Sequence, residues 1–189
     1  MAAYFLVFAS VHSLLADPRF KRWARERIGS VFDRWERIAF NLLALVMLLP
    51  IIYILLYLPD EIIYIASWPA FGLMAAAQLL AALMLLVSLW QTGILDFLGL
   101  KSLLRPGRGR GLVTRGLYCH LRNPQFLFAI LFLWSSPIMT TNFLAFNIMA
   151  TIYFYLGALH EERSLEEFGE AYLDYRKRVP MFLPRVRCR

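Results

Sequence analysis

The chain has 189 residues, 60% of them hydrophobic and only 17% charged, with a mean hydropathy of +0.56. Soluble domains average about 45–50% apolar and about 25% charged residues, so this balance excludes an ordinary soluble fold and predicts a single integral membrane domain over 1–189. The net charge of +7 calls for an explanation either in a partner or in the placement of 20 Lys/Arg along the chain.

The apolar residues are gathered into runs, and a hydrocarbon core about 30 Å thick takes roughly 20 helical residues. Only helices and closed barrels satisfy every backbone group in lipid. Met1 to Ala16 is a short first span, stopped by Asp17-Pro18. Asp17 to Arg37 carries seven Lys/Arg and four Asp/Glu, with Phe20, Trp23, Ile28, Val31, Phe32 and Trp35 at spacings that give Arg19 to Arg37 one apolar helical face, so an N-terminal interfacial helix is predicted there. Ile38 to Leu58 is a second span, and Ile62 to Pro69 reads as interfacial from Tyr64 and Trp68. Ala70 to Trp90 returns through the membrane, with Ala75, Ala76, Ala77, Ala81 and Ala82 permitting close packing. Gln91 to Asn123 is a long polar connection. Pro124 to Met139 and Phe143 to Leu159 are two short spans joined by Thr140-Thr141-Asn142, hence antiparallel neighbours, and His160 to Arg189 is an amphipathic, charged tail. The expected fold is all-α, a polytopic helical membrane protein of about five transmembrane helices, with 1–110 forming the N-terminal spans and 111–184 a second half.

Alternating these spans puts Asp17–Arg37, Gln91–Asn123 and His160–Arg189 on one side, holding 7, 6 and 7 Lys/Arg, which is every basic residue in the chain. Positive loops remain cytoplasmic, so the N-terminus is expected outside, with the C-terminus and the polar connection in the cytosol. The basic run Arg105 to Gly111 is then a solvated face beside anionic membrane lipid, and no nucleic-acid partner is needed. Cys119 and Cys188 fall on that same side and imply no disulfide.

This topology brings distant residues together. Arg122 begins the fourth span, Glu161 and Glu162 follow the fifth, and the hairpin places both ends at one mouth. Asn123 is a good N-cap and Pro124 suits a first helical turn. The amides of that turn, the helix dipole and Arg122 suit a carboxylate, and the glutamates suit an ammonium, a sulfonium or a ribose hydroxyl. Direct pairing of Arg122 with the glutamates is the competing arrangement. His12, His120 and His160 lack the clustered spacing of a metal site, so no metal is expected. Gly107, Gly109 and Gly111 follow no strand and read as flexible loop rather than a cofactor-binding glycine loop.

Gly111 to Phe126, a short helical hairpin, Glu161-Glu162, Leu165, Phe168-Gly169, Tyr172, Tyr175 and Val179-Pro180 to Pro184 together resemble the isoprenylcysteine carboxyl methyltransferase and phospholipid methyltransferase superfamily. Its pattern runs roughly L-V-x-x-G-x-Y-x-x-x-R-H-P-x-Y, a hairpin, E-E, then F-G-x-x-Y-x-x-Y and a closing proline pair. Trp134 to Thr140, Glu161-Glu162-Arg163 and Val179-Pro180-Met181 are most similar to the branch containing bacterial methanethiol S-methyltransferases and the NnrU-like membrane proteins.

The resemblance implies an S-adenosylmethionine-dependent methyltransferase of a bacterial or archaeal inner membrane. It implies that Leu112, Val113, Thr114, Gly116, Tyr118, Arg122, Asn123, Pro124, Glu161 and Glu162 hold the cofactor, and that the methyl acceptor is lipophilic or small. His120, His160 and Glu161 are the candidate catalytic groups. Two positions depart from the pattern: the family His is Asn123, which cannot accept a proton near neutral pH, and the Tyr is Phe126. Relatives that act on a prenylcysteine carboxylate resemble one another in an arginine on the helix before the acidic pair, whereas no Lys or Arg lies between Arg122 and Arg163. A buried substrate carboxylate would lack its partner there, so a thiol is the expected acceptor. The alternatives are a prenylcysteine carboxylate, a phospholipid amine, or a non-enzymatic NnrU-like factor linked to nitrogen-oxide metabolism. Oligomeric state is not legible in the sequence.

Overall fold

The computed structural model describes residues 1–104 and 111–184; the run Arg105 to Arg110 and the last five residues, including Cys188, lie outside the described residues. In chain order the elements are α1 (Ala2–Ala16), α2 (Pro18–Ile28), α3 (Ser30–Tyr57), β1 (Ile62–Ile65), α4 (Ala70–Thr92), α5 (Ile94–Phe97), α6 (Leu100–Leu104), α7 (Pro124–Trp134), β2 (Ile138–Thr140), α8 (Thr141–Leu165) and α9 (Glu170–Arg178). Contacts group them into two compact units, Met1–Asp60 with Gly93–Arg110, and Glu61–Thr92 with Gly111–Arg189. Among the described residues three helices are long and apolar enough to cross a membrane, namely α3, α4 and α8 with its 3-10 extension to Phe168, while α1 and α7 are shorter apolar helices.

In the first unit Asp17 ends α1 and caps α2, its carboxylate accepting from the Arg19 amide at 2.6 Å. The single interfacial helix expected over Arg19–Arg37 is broken at Gly29, where φ is +74°, a conformation a side chain disfavours. Its second half, from Ser30, is continuous with the span that follows, so α3 runs 28 residues. Ion pairs Lys21–Glu36 and Arg25–Asp33, at 2.7 and 2.6 Å, tie α2 to the start of α3. Asn41, a polar residue inside an apolar run, donates to the Phe97 carbonyl at 2.8 Å and so satisfies the end of α5.

The second unit is organised around α7, which has only 11 residues and is about 16 Å long. The span expected over Pro124–Met139 therefore becomes helical only to Trp134. Pro137 has no amide to donate and disfavours helix in the residue before it, and the chain continues extended through β2. There β2 pairs antiparallel with β1, Ile65 opposite Ile138 and Tyr64 opposite Met139. The stretch Ile62–Ile65, expected merely to lie at an interface, is thus a strand whose partner is supplied by the other end of the unit.

A helix ending this early leaves carbonyls that apolar surroundings cannot satisfy. Its neighbours supply the donors: Gln78 Nε2 of α4 reaches the Phe132 carbonyl at 3.2 Å, and Asn147 Nδ2 of α8 reaches the Leu133 carbonyl at 3.1 Å. Trp134 Nε1 donates to Thr151 at 2.8 Å on the next turn of α8. Small residues allow the approach. Ala81 and Ser88, two turns apart on α4, are buried, as are Ala150 and Ala158 on α8, and a Cβ on Gly157 would stand 3.3 Å from Phe126. Asn147 is fully buried, and its amide is one of the polar contacts that hold α8 to the end of α7. Asn147→Ala is expected to destabilise the protein by about 1 kcal/mol, measurable as a lower unfolding midpoint in detergent.

Candidate functional site

The connection that leads into α7 is shaped by α4. Gln91 Oε1 accepts from the Leu117 amide at 2.9 Å, and the Gln91 amide group occupies the space a Cβ on residue 116 would need. Gly116 has φ +64° as well, so both conformation and contact require glycine there. Gly116–Cys119 then makes one 3-10 turn that buries the Tyr118 ring, and Gln125 Nε2 donates to Thr92 Oγ1 at 3.0 Å on the far side of the same junction.

Arg122 and Asn123 follow, and both meet Glu162. Arg122 Nε lies 2.8 Å from Glu162 Oε1, with side chains only 10% and 8% exposed, and Asn123 Nδ2 donates to the same oxygen at 3.0 Å. Of the two arrangements open from sequence, a gap or direct pairing, the structure adopts direct pairing. Glu162 reaches this position because α8 does not end near Leu159 but continues to Leu165. Ala158 and Glu162, four apart, share its buried face. Glu161 and His160 lie one and two residues away, about 100° and 200° around the helix, and are not brought to Arg122; His160 is half-buried and its carbonyl accepts from Ser164 Oγ. His120 ends the 3-10 turn, half-buried, its amide bonded to the Leu117 carbonyl.

Asn123 occupies the N-cap of α7, but its side chain is turned to Glu162 and makes no capping bond, while Pro124 fills the first turn as expected. A carboxylate only accepts, so the amide nitrogen must face it. In this chain the residue that stands for the family histidine is therefore a donor to the buried glutamate. Both donors use Oε1; among the described residues Oε2 receives none.

The C-terminal tail closes over this group. Arg122 also donates through one terminal nitrogen to the carbonyls of Arg176 and Val179, each at 2.9 Å. The backbone amides of Arg122 and Asn123 bond the Pro180 and Met181 carbonyls at 2.9 and 3.2 Å. Tyr172 and Tyr175 on α9 and Val179 just after it repeat at helical spacing and form a buried cluster with Leu112, Leu165 and Phe168. Tyr175 donates its hydroxyl to the Tyr118 carbonyl at 2.5 Å. Burial raises the pKa of Tyr175 well above its usual 10.0, the positive charge of Arg122 opposing in part; burial and then Glu162 raise that of Tyr172.

Of the other expected cofactor residues, Leu112 and Val113 are half-buried and Thr114 is exposed. The expectation of free thiols fails at Cys119, which is not free in the structure; the tail returns beside its turn, where Pro180 and Met181 pair with Arg122 and Asn123. Sequence reasoning missed Gln91 and the carbonyls of Arg176 and Val179. Nothing in the pattern marks a carbonyl as an arginine partner. Gln91 carried a weak signal as the first polar residue after a span.

Apolar helices, an Arg-Asn-Pro turn that meets a glutamate borne on the next long helix, and a tyrosine-bearing tail clasped to both define the isoprenylcysteine carboxyl methyltransferase-like class of membrane methyltransferases. Within it, the chain belongs to the methanethiol S-methyltransferase family. It is 32% identical over 193 aligned positions to methanethiol S-methyltransferase 2 of Bradyrhizobium diazoefficiens, covering 97% of this chain and 71% of that protein. It is 33% identical over 186 positions to the methanethiol S-methyltransferase of Mycobacterium tuberculosis, covering 94% and 74%, and 28% identical over 192 to that of Pseudomonas deceptionensis, covering 96% and 70%. No family profile and no solved structure matches the chain.

Removing one member of a buried ion pair strands the other. Arg122→Ala is expected to cost about 3–5 kcal/mol of stability, read from unfolding in detergent, because it also releases the tail. The tyrosine gives a pH dependence of known sign. A phenol whose folded pKa is raised favours the folded state while it is neutral, so its contribution is complete below pH 10 and is lost as pH climbs from there toward the folded value. Stability is expected to fall above about pH 10, and Tyr175→Phe, tested by the same melts across pH, should flatten that decline while lowering stability at neutral pH.

Proposed function

We propose that this membrane methyltransferase transfers a methyl group from S-adenosylmethionine to a small thiol, methanethiol being the acceptor named for its relatives. The observation that carries this reading is the buried Arg122–Glu162–Asn123 group at the uncapped N-terminus of α7. The fit to the cofactor rests on open hydrogen-bonding capacity: among the described residues Glu162 Oε2 has no donor and the buried Tyr172 hydroxyl has no partner. Arg122, Glu162 and the first turn of α7 would hold the ligand, with Tyr118 and Leu112 beside them. The cofactor supplies an electrophilic methyl on a sulfonium.

What remains for the protein is modest. It must align donor and acceptor, exclude water and let the acceptor lose its proton. A thiol near pKa 8.5 is already a few per cent thiolate at pH 7, so one group of ordinary basicity suffices, and His120, on the turn next to Arg122, is better placed for it than His160. A substrate carboxylate finds no second cation on α7 or along α8 before Arg163, which favours the thiol over a prenylcysteine carboxylate. The site faces the cytosol of a bacterial inner membrane, with the short helices α1 and α7 completing five crossings. Direct pairing of Arg122 with Glu162 would suit a non-catalytic membrane factor as well; membership in a family of methyltransferases argues against it.

Detergent-purified protein titrated with S-adenosylhomocysteine tests the reading. Binding in the micromolar range is expected. Glu162→Gln, which keeps the shape and the acceptor but removes the charge, is expected to bind about tenfold more weakly and to release less dimethyl sulfide from methanethiol. No binding at millimolar ligand would remove the proposal.

A further inference from the structure

Tyr172 is fully buried on α9, yet among the described residues its hydroxyl meets neither donor nor acceptor. Its neighbour Tyr175, three residues on and equally enclosed, has the Tyr118 carbonyl as partner. A buried hydroxyl without a partner is destabilising and uncommon, and Tyr172→Phe would have been the simpler choice for a packing role in the Tyr175–Val179 cluster. Arg122, which pairs with Glu162, also bonds the Val179 carbonyl of the cluster that holds Tyr172, and burial and then the Glu162 carboxylate raise the pKa of that phenol. The glutamate is itself half-used: Arg122 and Asn123 both donate to Oε1, and Oε2 has no donor among the described residues. An unused donor and an unused acceptor thus belong to groups that Arg122 ties together, and they do not bond to each other.

The chemistry of that pair is selective. A carboxylate ligand would accept from the phenol but would be repelled by Glu162. An ammonium would donate to Glu162 and leave the phenol proton unspent. A hydroxyl does both, accepting from Tyr172 and donating to Glu162 Oε2, and a vicinal diol does so with two oxygens. We propose that Tyr172 and Glu162 form a hydroxyl-reading subsite that takes the ribose of the nucleoside methyl donor, with Arg122 and Asn123 holding the glutamate in register from its other oxygen. This rests on the cofactor reading above and adds Tyr172 as a binding residue.

The test is calorimetric titration of wild-type protein and Tyr172→Phe, in detergent, with S-adenosylhomocysteine and with its 2′-deoxy and 3′-deoxy analogues. Wild type is expected to bind at least one deoxy analogue about tenfold more weakly than the parent. Tyr172→Phe is expected to lose a similar factor for the parent and nothing further for that analogue, and to melt no lower than wild type without ligand, since only an unpartnered hydroxyl has been removed. Equal affinity of the variant and wild type for the parent overturns the proposal, as does one common loss across all three ligands or a lower melting temperature of the ligand-free variant. Should the variant fail to fold, wild-type protein that binds both deoxy analogues as tightly as the parent overturns it instead. Wild-type protein that binds none of the three sinks the cofactor reading rather than the role of Tyr172 alone.

Discussion

A carboxylate buried in the last turn of a long helix is the constraint on which the second unit depends. Glu162 cannot be removed from water without compensation, since an isolated buried charge is costly. Its compensation comes from residues 39 and 40 positions earlier, Asn123 and Arg122. Satisfying it therefore pins the start of α7 to the far end of α8. Arg122 has more donors than one carboxylate oxygen can use, and the remainder recruit the tail through two carbonyls. The ion pair is thus less a stabilising contact than a junction among three segments of chain.

The other end of α7 is governed by a different requirement. A helix of 11 residues leaves its last carbonyls among apolar side chains, and amide side chains of α4 and α8 meet them. The chain then continues as an extended segment whose backbone is paired with β1. Short helix, capped end and paired strand are one solution to one problem, the rule that lipid satisfies no backbone group. The result is that the Arg-Asn-Pro turn is fixed from both ends.

Much of this was legible in the residues because lipid imposes simple rules. Composition and the runs of apolar residues decided an all-helical membrane protein, the pairing of α7 with α8 followed from the short stretch between them, and the tail read as amphipathic without its buried residues being named. The motif residues pointed to the methyltransferase class, and the relatives carry its family name. The boundaries were less legible. Gly29 was overlooked as a break, so one interfacial helix was expected where two elements stand. Pro137 was read as interior to a helical run, whereas the helix ends at Trp134. Both errors have the same origin: hydropathy reports depth in a bilayer, whereas breaks are set by backbone conformation at single residues.

The sequence by itself determined the class of fold, the neighbourhood of Arg122 and the glutamates, and the chemistry they can perform, because each depends on residue type and spacing along a helix. It did not decide which glutamate, since neighbours one residue apart differ by about 100° around the axis and only the packing of α8 selects Glu162 over Glu161. Nor did it decide that Asn123 would spend its side chain on Glu162 instead of capping α7, that Gln91 would require Gly116, or that Tyr172 would be buried with its hydroxyl unanswered. Those outcomes turn on where a side chain's few hydrogen bonds are directed once every neighbour is in place, and that is settled only in three dimensions.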